Sequence, residues 1–490
     1  MKDQFSKISK SISNKYSSLN FLRLILIIFS IFLFSFLSFS LNQSTLKDIE
    51  GAYLGTLSIG SSDLRLAIVI SKNLFVENKI DAILISIDQG GSMISASSVK
   101  SEGSSLILSF DSIKAKITIL DKNENKLKTI FQQGSFKTDL VFSKIPRPQQ
   151  PLPPFEYQQK EVSINNGDII LNGTLTIPSN KELEKDGKFP AIILVTGSGA
   201  QNRDEEIFNH KPFLVISDFL TKMGFVVLRM DDRGVGIDSK IISNSDTFDF
   251  VSDAISQIKY LKSLEFVDSA RIGVLGHSEG GLIAFILAAE YPDDISFIVT
   301  LAGPTLRGDK ILLLQQELIA KASGAKEKNI KKMIEINSAL YEAVIKHKDD
   351  SSNEELINEI KNIAKKYKLS KTDTEAVINE LTLKWMKTFL SLDPADYIKK
   401  IKCPSLILFG EKDLQVPAKE NLEAINKIIN EINQAEKIER KNFTIFVMPS
   451  CNHLFQNANT GNIYEYALIE QTISNDVLNY IKEFLSNLFS

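Results

Sequence analysis

Cysteine and histidine are scarce in this 490-residue chain, with two of the first and four of the second. They form no Cys/His cluster, so no metal site is expected. The cysteines do not suggest a disulfide either. Cys403 precedes the apolar run Leu406–Phe409, and Cys451 follows the run Thr444–Met448. At opposite ends of parallel strands they would lie roughly 15–20 Å apart. A disulfide needs Cα atoms within about 7 Å. An excess of charge of one sign is also missing. Lys and Arg number 57 against 60 Asp and Glu, a net charge of −3. That balance gives no electrostatic surface for nucleic acid. What is present is ordinary for a globular protein, with 43% apolar and 24% charged residues. The length exceeds what one core supports, so two or more domains are expected.

Long hydrophobic runs are lacking too, apart from one at the start. Lys2, Lys7, Lys10, Lys15 and Arg23 make a basic leader, and residues 24–41 are then unbroken apolar or serine. At about 1.5 Å per helical residue that run is just long enough to span a membrane. The positive flank keeps the leader inside and sends the rest across. Ser38-Phe39-Ser40 offers a small-x-small cleavage site. Residues 1–45 therefore read as a signal peptide or a membrane anchor, and both outcomes stay open. The rest is expected outside the cytoplasm, in the cell envelope or released.

From residue 46 to 145 apolar residues recur with period two, as in Leu64, Leu66, Ile68 and Ile70, or Ala115, Ile117 and Ile119. Turn signals such as Gly90-Gly91-Ser92 and Glu102-Gly103-Ser104 separate these runs. The pattern predicts a small antiparallel β-domain, curled into a barrel or sandwich. Binding, dimerisation, shaping of substrate access and simple packing are all roles open to it. Residues 146–156 hold five prolines between Pro146 and Pro154, which favours an extended, semi-rigid linker. Over residues 157–490 short apolar runs alternate with amphipathic segments. This α/β pattern implies a mostly parallel sheet with helices on both faces. A strand-free helical stretch at about 305–398 fits a lid, or else a peripheral helical subdomain.

Within that region Gly276-His277-Ser278-Glu279-Gly280 matches G-x-S-x-G between an apolar strand and a buried helix. A serine on such a turn is strained and exposed, which suits a nucleophile. Serine needs a base, and the base needs a carboxylate to orient it. His277 belongs to the turn itself, His210 precedes it, and His347 lies in the helical stretch. His453, in the loop after the last strand, is left as the base. Asp413 follows the run Leu406–Phe409 and is the preferred acid, with Glu411 its rival. Asp393 and Asp396 precede that strand and belong at its wrong end. Loops at the carboxyl ends of parallel strands converge on one crevice, which would gather Ser278, Asp413 and His453. The oxyanion donors expected are the backbone N–H of Glu279 and one from Gly197-Ser198-Gly199-Ala200, with Ser198 before Gly199. The charge clusters Gln201–Glu205 and Asp231–Gly234 read as ion-paired braces more than as substrate contacts.

These stretches resemble the two-domain bacterial carboxylesterases of the α/β-hydrolase superfamily, relatives of serine aminopeptidase-like and prolyl oligopeptidase-like hydrolases. The resemblance is carried by Leu194–Glu205, Asp231–Gly236, Gly276–Gly281, Gly410–Pro417 and Asn452–Gln456, and by Leu64–Leu66 and Asp88–Gly90 in the β-domain. Position 200 departs from it, being Ala where Pro is expected. The resemblance implies an α/β-hydrolase fold and a Ser278–Asp413–His453 triad cleaving a small-molecule ester through an acyl-enzyme, with no cofactor. A peptidase or an acyl thioesterase would use the same triad. A catalytically silent envelope binding protein is the reading from another class. Membrane contact through an uncleaved leader and assembly into a homo-oligomer are the partner expectations.

Overall fold

The computed structural model describes residues 49–76, 79–437 and 440–489. The apolar run 24–41 lies outside the described residues. No helix among the described residues is long and apolar enough to cross a membrane.

Among the described residues the strands form two sheets. The first is antiparallel and holds β1 (Gly51–Ile59), β2 (Ser62–Lys72), β3 (Ile80–Ser86), β4 (Ser92–Ser95), β5 (Ser98–Glu102), β6 (Ser105–Phe110), β7 (Ala115–Lys122), β8 (Lys126–Gln133) and β9 (Phe136–Lys144). Their order is β4-β3-β2-β1-β9-β8-β7-β6-β5. Alternation aims Ile68, Leu84, Leu108, Ile117, Phe131 and Phe142 into one cluster, so the sheet curls around its own core. Strand β2 breaks the expected alternation, because Leu66 to Ile70 are all buried. The cause is a second covered face. Ala67, Val69 and Ile85 pack with Phe208, Leu454, Ile463 and Tyr466 from the other sheet's loops and helices.

The proline-rich segment differs from the extended spacer expected of it. It turns where Gln150 N–H donates to the Arg147 carbonyl at 3.2 Å. The Arg147 guanidinium donates to the carbonyls of Phe208, Ala467 and Ile469 at 2.9–3.0 Å. Gln150 reaches the carbonyl of Asn209 at 2.6 Å. The polar side chains between the prolines found backbone acceptors, and these bonds dock the segment where proline alone favours extension.

The second sheet contains β10 (Gln158–Asn166), β11 (Ile169–Ile177), β12 (Phe189–Val195), β13 (Val226–Met230), β14 (Val267–His277), β15 (Phe297–Leu301), β16 (Ser405–Gly410) and β17 (Phe443–Met448). The order is β10-β11-β13-β12-β14-β15-β16-β17. The hairpin β10–β11 is antiparallel and joins β13 antiparallel, while the pairs from β13 to β17 are parallel. Every residue of β12, β13, β15 and β16 is buried, as expected of strands covered on both faces. From β12 the chain steps to β13 on one side, then returns to β14 on the other. That reversal opens a crevice at the carboxyl ends of β12 and β14. Between β15 and β16 runs a strand-free insertion with helices Gly308–Ala322, Glu327–Lys346, Glu354–Tyr367, Lys371–Leu381, Lys384–Ser391 and Ala395–Ile398. The stripe expected on its second helix packs inward at Ile330, Met333, Leu340, Tyr341 and Val344, and Ile334 is half-buried.

Candidate active site

Strand β14 ends at His277 and the helix Glu279–Glu290 begins two residues later, leaving Ser278 alone at the turn. Its backbone is held at φ 53° and ψ −119°, a region that a residue with a Cβ rarely enters. Its N–H is tied to the carbonyl of Leu301 on β15 at 2.8 Å. Two glycines make the turn fit. A Cβ on Gly276 would lie 2.0 Å from the Gly280 carbonyl oxygen, and one on Gly280 would lie 2.0 Å from that of Val195. Neither position has room for a side chain, so the elbow can sit hard against β12.

Ser278 borders a cavity together with Ser198, Glu279, Pro304, Gln415 and Val416, and with Ile311, Leu312, Gln315, Trp385 and Phe389 of the insertion. Among the described residues no hydrogen bond engages the backbone N–H of Ser198, Gly199 or Glu279. Of these three expected oxyanion donors, Ser198 and Glu279 line the cavity and Gly199 does not.

The expected acid, Asp413, and the expected base, His453, meet as a buried pair. His453 Nδ1 lies 2.7 Å from Asp413 Oδ2, and both side chains are buried. The other oxygen, Asp413 Oδ1, accepts the backbone N–H groups of Gln415 and Val416 at 2.7 and 2.9 Å. Those bonds fix the carboxylate, and the contact leaves His453 Nε2 as the nitrogen turned away from it. Glu411 is spent elsewhere, accepting the N–H of Ser450 at 2.7 Å. Asn452 steadies the histidine loop by accepting from the N–H groups of Leu454 and Gln456, each at 3.0 Å.

The other histidines are placed as structural members. His210 bonds Thr472 and the Tyr466 carbonyl, and burial drives its value down to about 3, keeping it neutral. His347 pairs with Glu355 and Glu359 in the insertion. His277 does more than complete the turn. Its Nδ1 meets Glu205 Oε1 at 2.8 Å, and its Nε2 meets the backbone carbonyl of His453 at 2.9 Å. A carbonyl oxygen only accepts, so Nε2 must carry hydrogen. Burial, the largest influence, pulls His277 down. The charge and hydrogen bond of Glu205, then the His453 carbonyl and Asp413, outweigh it and leave its value raised. Glu205 Oε1 also accepts the N–H of Gly197 at 2.8 Å. One buried pair thus joins the loop after β12, the elbow and the loop carrying His453. The sequence offered a signal for it, a carboxylate at the end of one charge cluster and a histidine before the serine. Nothing local linked residues 72 positions apart.

The charge clusters are paired as braces. Arg203 holds Asp231 at 2.7 Å and Arg233 holds Asp253 at 2.7 Å, and Arg229 contacts Asp204. Asp232 accepts from Thr196 Oγ1 at 2.7 Å and from the Gln201 N–H at 2.8 Å. Its carboxyl is raised well above the usual range by burial. Glu279 was expected to contribute only its backbone N–H. Its side chain, 3% exposed, accepts from Thr247 Oγ1 at 2.6 Å and from the Trp385 indole N–H at 2.8 and 2.9 Å. Among the described residues no cluster of three or more His, Cys, Asp or Glu is arranged to hold a metal ion. Cys403 and Cys451 are both free thiols.

A strained serine elbow at the switch point of a mostly parallel sheet defines an α/β-hydrolase. The chain belongs to the serine aminopeptidase family, S33, whose profile matches residues 213–457. It is similar to esterase EstD of Thermotoga maritima, with 26% identity over 347 residues covering 71% of this chain and 70% of EstD. Among solved structures it is similar to Est1E from Butyrivibrio proteoclasticus with bound ferulic acid, at 18% identity and a TM-score of 0.37 over 66% of this chain and 98% of Est1E. The Pyrococcus furiosus esterase PF2001 aligns at 18% identity and a TM-score of 0.39, over 70% of this chain and 98% of that one.

Proposed function

We propose that this protein is a serine hydrolase that cleaves carboxylic esters of small molecules through an acyl-enzyme. The observation that carries the reading is a strained Ser278 at the floor of a cavity, on the sheet edge that also bears the buried Asp413–His453 pair. Similarity to EstD, an esterase by name, favours esters. Ser278 Oγ attacks the ester carbonyl and passes its proton to His453 Nε2. Charge gathers on the carbonyl oxygen, where the N–H groups of Glu279 and Ser198 stabilise it. Collapse breaks the bond to the alcohol, which leaves with the proton from His453. Water then attacks the acyl-enzyme with His453 again as base, releasing the acid and restoring Ser278. Asp413 holds the imidazole tautomer and offsets its transient charge. In this reading the helices of residues 305–398 act as a lid, and residues 1–45 carry the protein out of the cytoplasm.

A fluorophosphonate probe tests the nucleophile. Wild type should be labelled and Ser278→Ala should not. Labelling that survives the substitution would discard Ser278, and an unlabelled wild type would discard the hydrolase. A panel of nitrophenyl esters, acyl-CoA thioesters and aminoacyl amides should then rank esters first.

A further inference from the structure

Trp385 and Phe389 stand one turn apart on the helix Lys384–Ser391, and their rings stack with centroids 4.7 Å apart and planes 16° apart. Both line the cavity above Ser278, with Ile311, Leu312 and Val416 supplying further apolar wall. Among the described residues no lysine, arginine or histidine lines the cavity. Two of its polar groups are spent on each other, since Gln315 Nε2 donates to Gln415 Oε1 at 3.1 Å.

The tryptophan is locked from behind. Its N–H is shared by both carboxylate oxygens of Glu279, the residue whose own backbone N–H is the expected oxyanion donor. The same helix is pinned at two more points. Lys384 Nζ reaches Asp249 at 2.5 Å, and Thr388 Oγ1 donates to Asp246 at 3.0 Å. A ring held this way shows the cavity its apolar surface. A rigid wall discriminates by length and shape, since each methylene that fits or clashes changes binding by about 1–3 kcal/mol, or 10–200-fold.

Resting on the esterase reading, we propose that Trp385, locked by Glu279, is the specificity-determining residue. Its ring and that of Phe389 form the wall against which an uncharged apolar group beside the scissile ester bond packs, and they limit the length of that group.

The test compares kcat/KM across two substrate series for wild type, Trp385→Ala and Trp385→Phe. One series runs from nitrophenyl acetate to nitrophenyl octanoate. The other holds the acetyl group and lengthens the alcohol. Trp385→Ala should change the long-to-short ratio by about tenfold or more in one series, mainly through KM. Trp385→Phe keeps a ring but loses the anchoring N–H, and should shift the same ratio in the same direction by a smaller factor. It carries the comparison should the alanine variant not fold. Profiles that overlay wild type in both series would overturn the proposal while leaving the esterase intact. A wild type inactive on every ester in both series would overturn the esterase reading and this proposal with it.

Discussion

Replacing Glu279 by Gln should flatten the pH dependence of stability between pH 5 and 8. Glu279 is buried, and burial holds its carboxyl at about 7 against an ordinary 4.5, while the bonds from Thr247 and Trp385 pull the other way and Asp246 adds to the rise. The native state therefore binds this proton more tightly than the unfolded chain does. A carboxyl raised in the fold adds stability that is complete below about 4.5 and is lost as pH climbs through about 7. The distance between 4.5 and about 7 corresponds to ~3 kcal/mol at 1.36 kcal/mol for each pH unit. Glutamine cannot ionise, and its carbonyl oxygen still accepts the indole N–H. Urea unfolding at pH 5, 6, 7 and 8 measures the effect. Trp385 is the only tryptophan in the chain, so its emission reports this helix alone. Wild type should lose about 2.5 kcal/mol relative to Glu279→Gln between pH 5 and pH 8, since part of the full swing is already gone at pH 5. A difference between the two proteins that stays constant over that range, or that grows with the opposite sign, would refute the reasoning.

Three further outcomes follow from the geometry. Asp413→Asn should lower kcat by about 10⁴-fold through the wrong histidine tautomer. The exposed Glu411→Gln should stay within about twofold, a change worth under about 0.5 kcal/mol, and steady-state kinetics on a nitrophenyl ester separates the two. His277→Ala breaks the bridge to the His453 carbonyl and should cut kcat by about 10²-fold with little change in KM, as a misplacement of about 1 Å does. A wild-type kcat in a folded variant would remove His277 from any positioning role. Gly280→Ala drives a methyl to 2.0 Å from the Val195 carbonyl oxygen and should cost about 3 kcal/mol or more in a denaturant melt.

The parallel sheet was legible because β12, β15 and β16 are short runs of apolar residues bounded by glycine, proline and charge. The elbow was legible because its glycines are local requirements of one turn. Asp413 and His453 could be placed because loops after parallel strands converge at one edge. The insertion's long helices showed their stripe at helical spacing. What stayed hidden depends on partners distant in sequence. Trp385 and Glu279 are 106 positions apart, and Arg147 meets three of its carbonyl acceptors 61 to 322 positions away. No pattern of neighbours encodes such pairs. The second buried face of β2 was invisible for the same reason, since what covers it comes from the far end of the chain.

That covered face has a consequence for how separable the two halves are. Leu454, the residue after His453, packs with Ala52, Ala67, Val69 and Ile85 of the first sheet, beside Ile463 and Tyr466. Cutting the chain at the proline segment would strip that cover from the loop that carries the histidine. It would also release the Arg147 guanidinium from the carbonyls near residue 467. The isolated C-terminal part would expose an apolar patch next to His453 and lose a strut of the helix Ile463–Leu468. The first sheet thus covers the loop that carries His453, and truncation at the proline segment is expected to destabilise that loop.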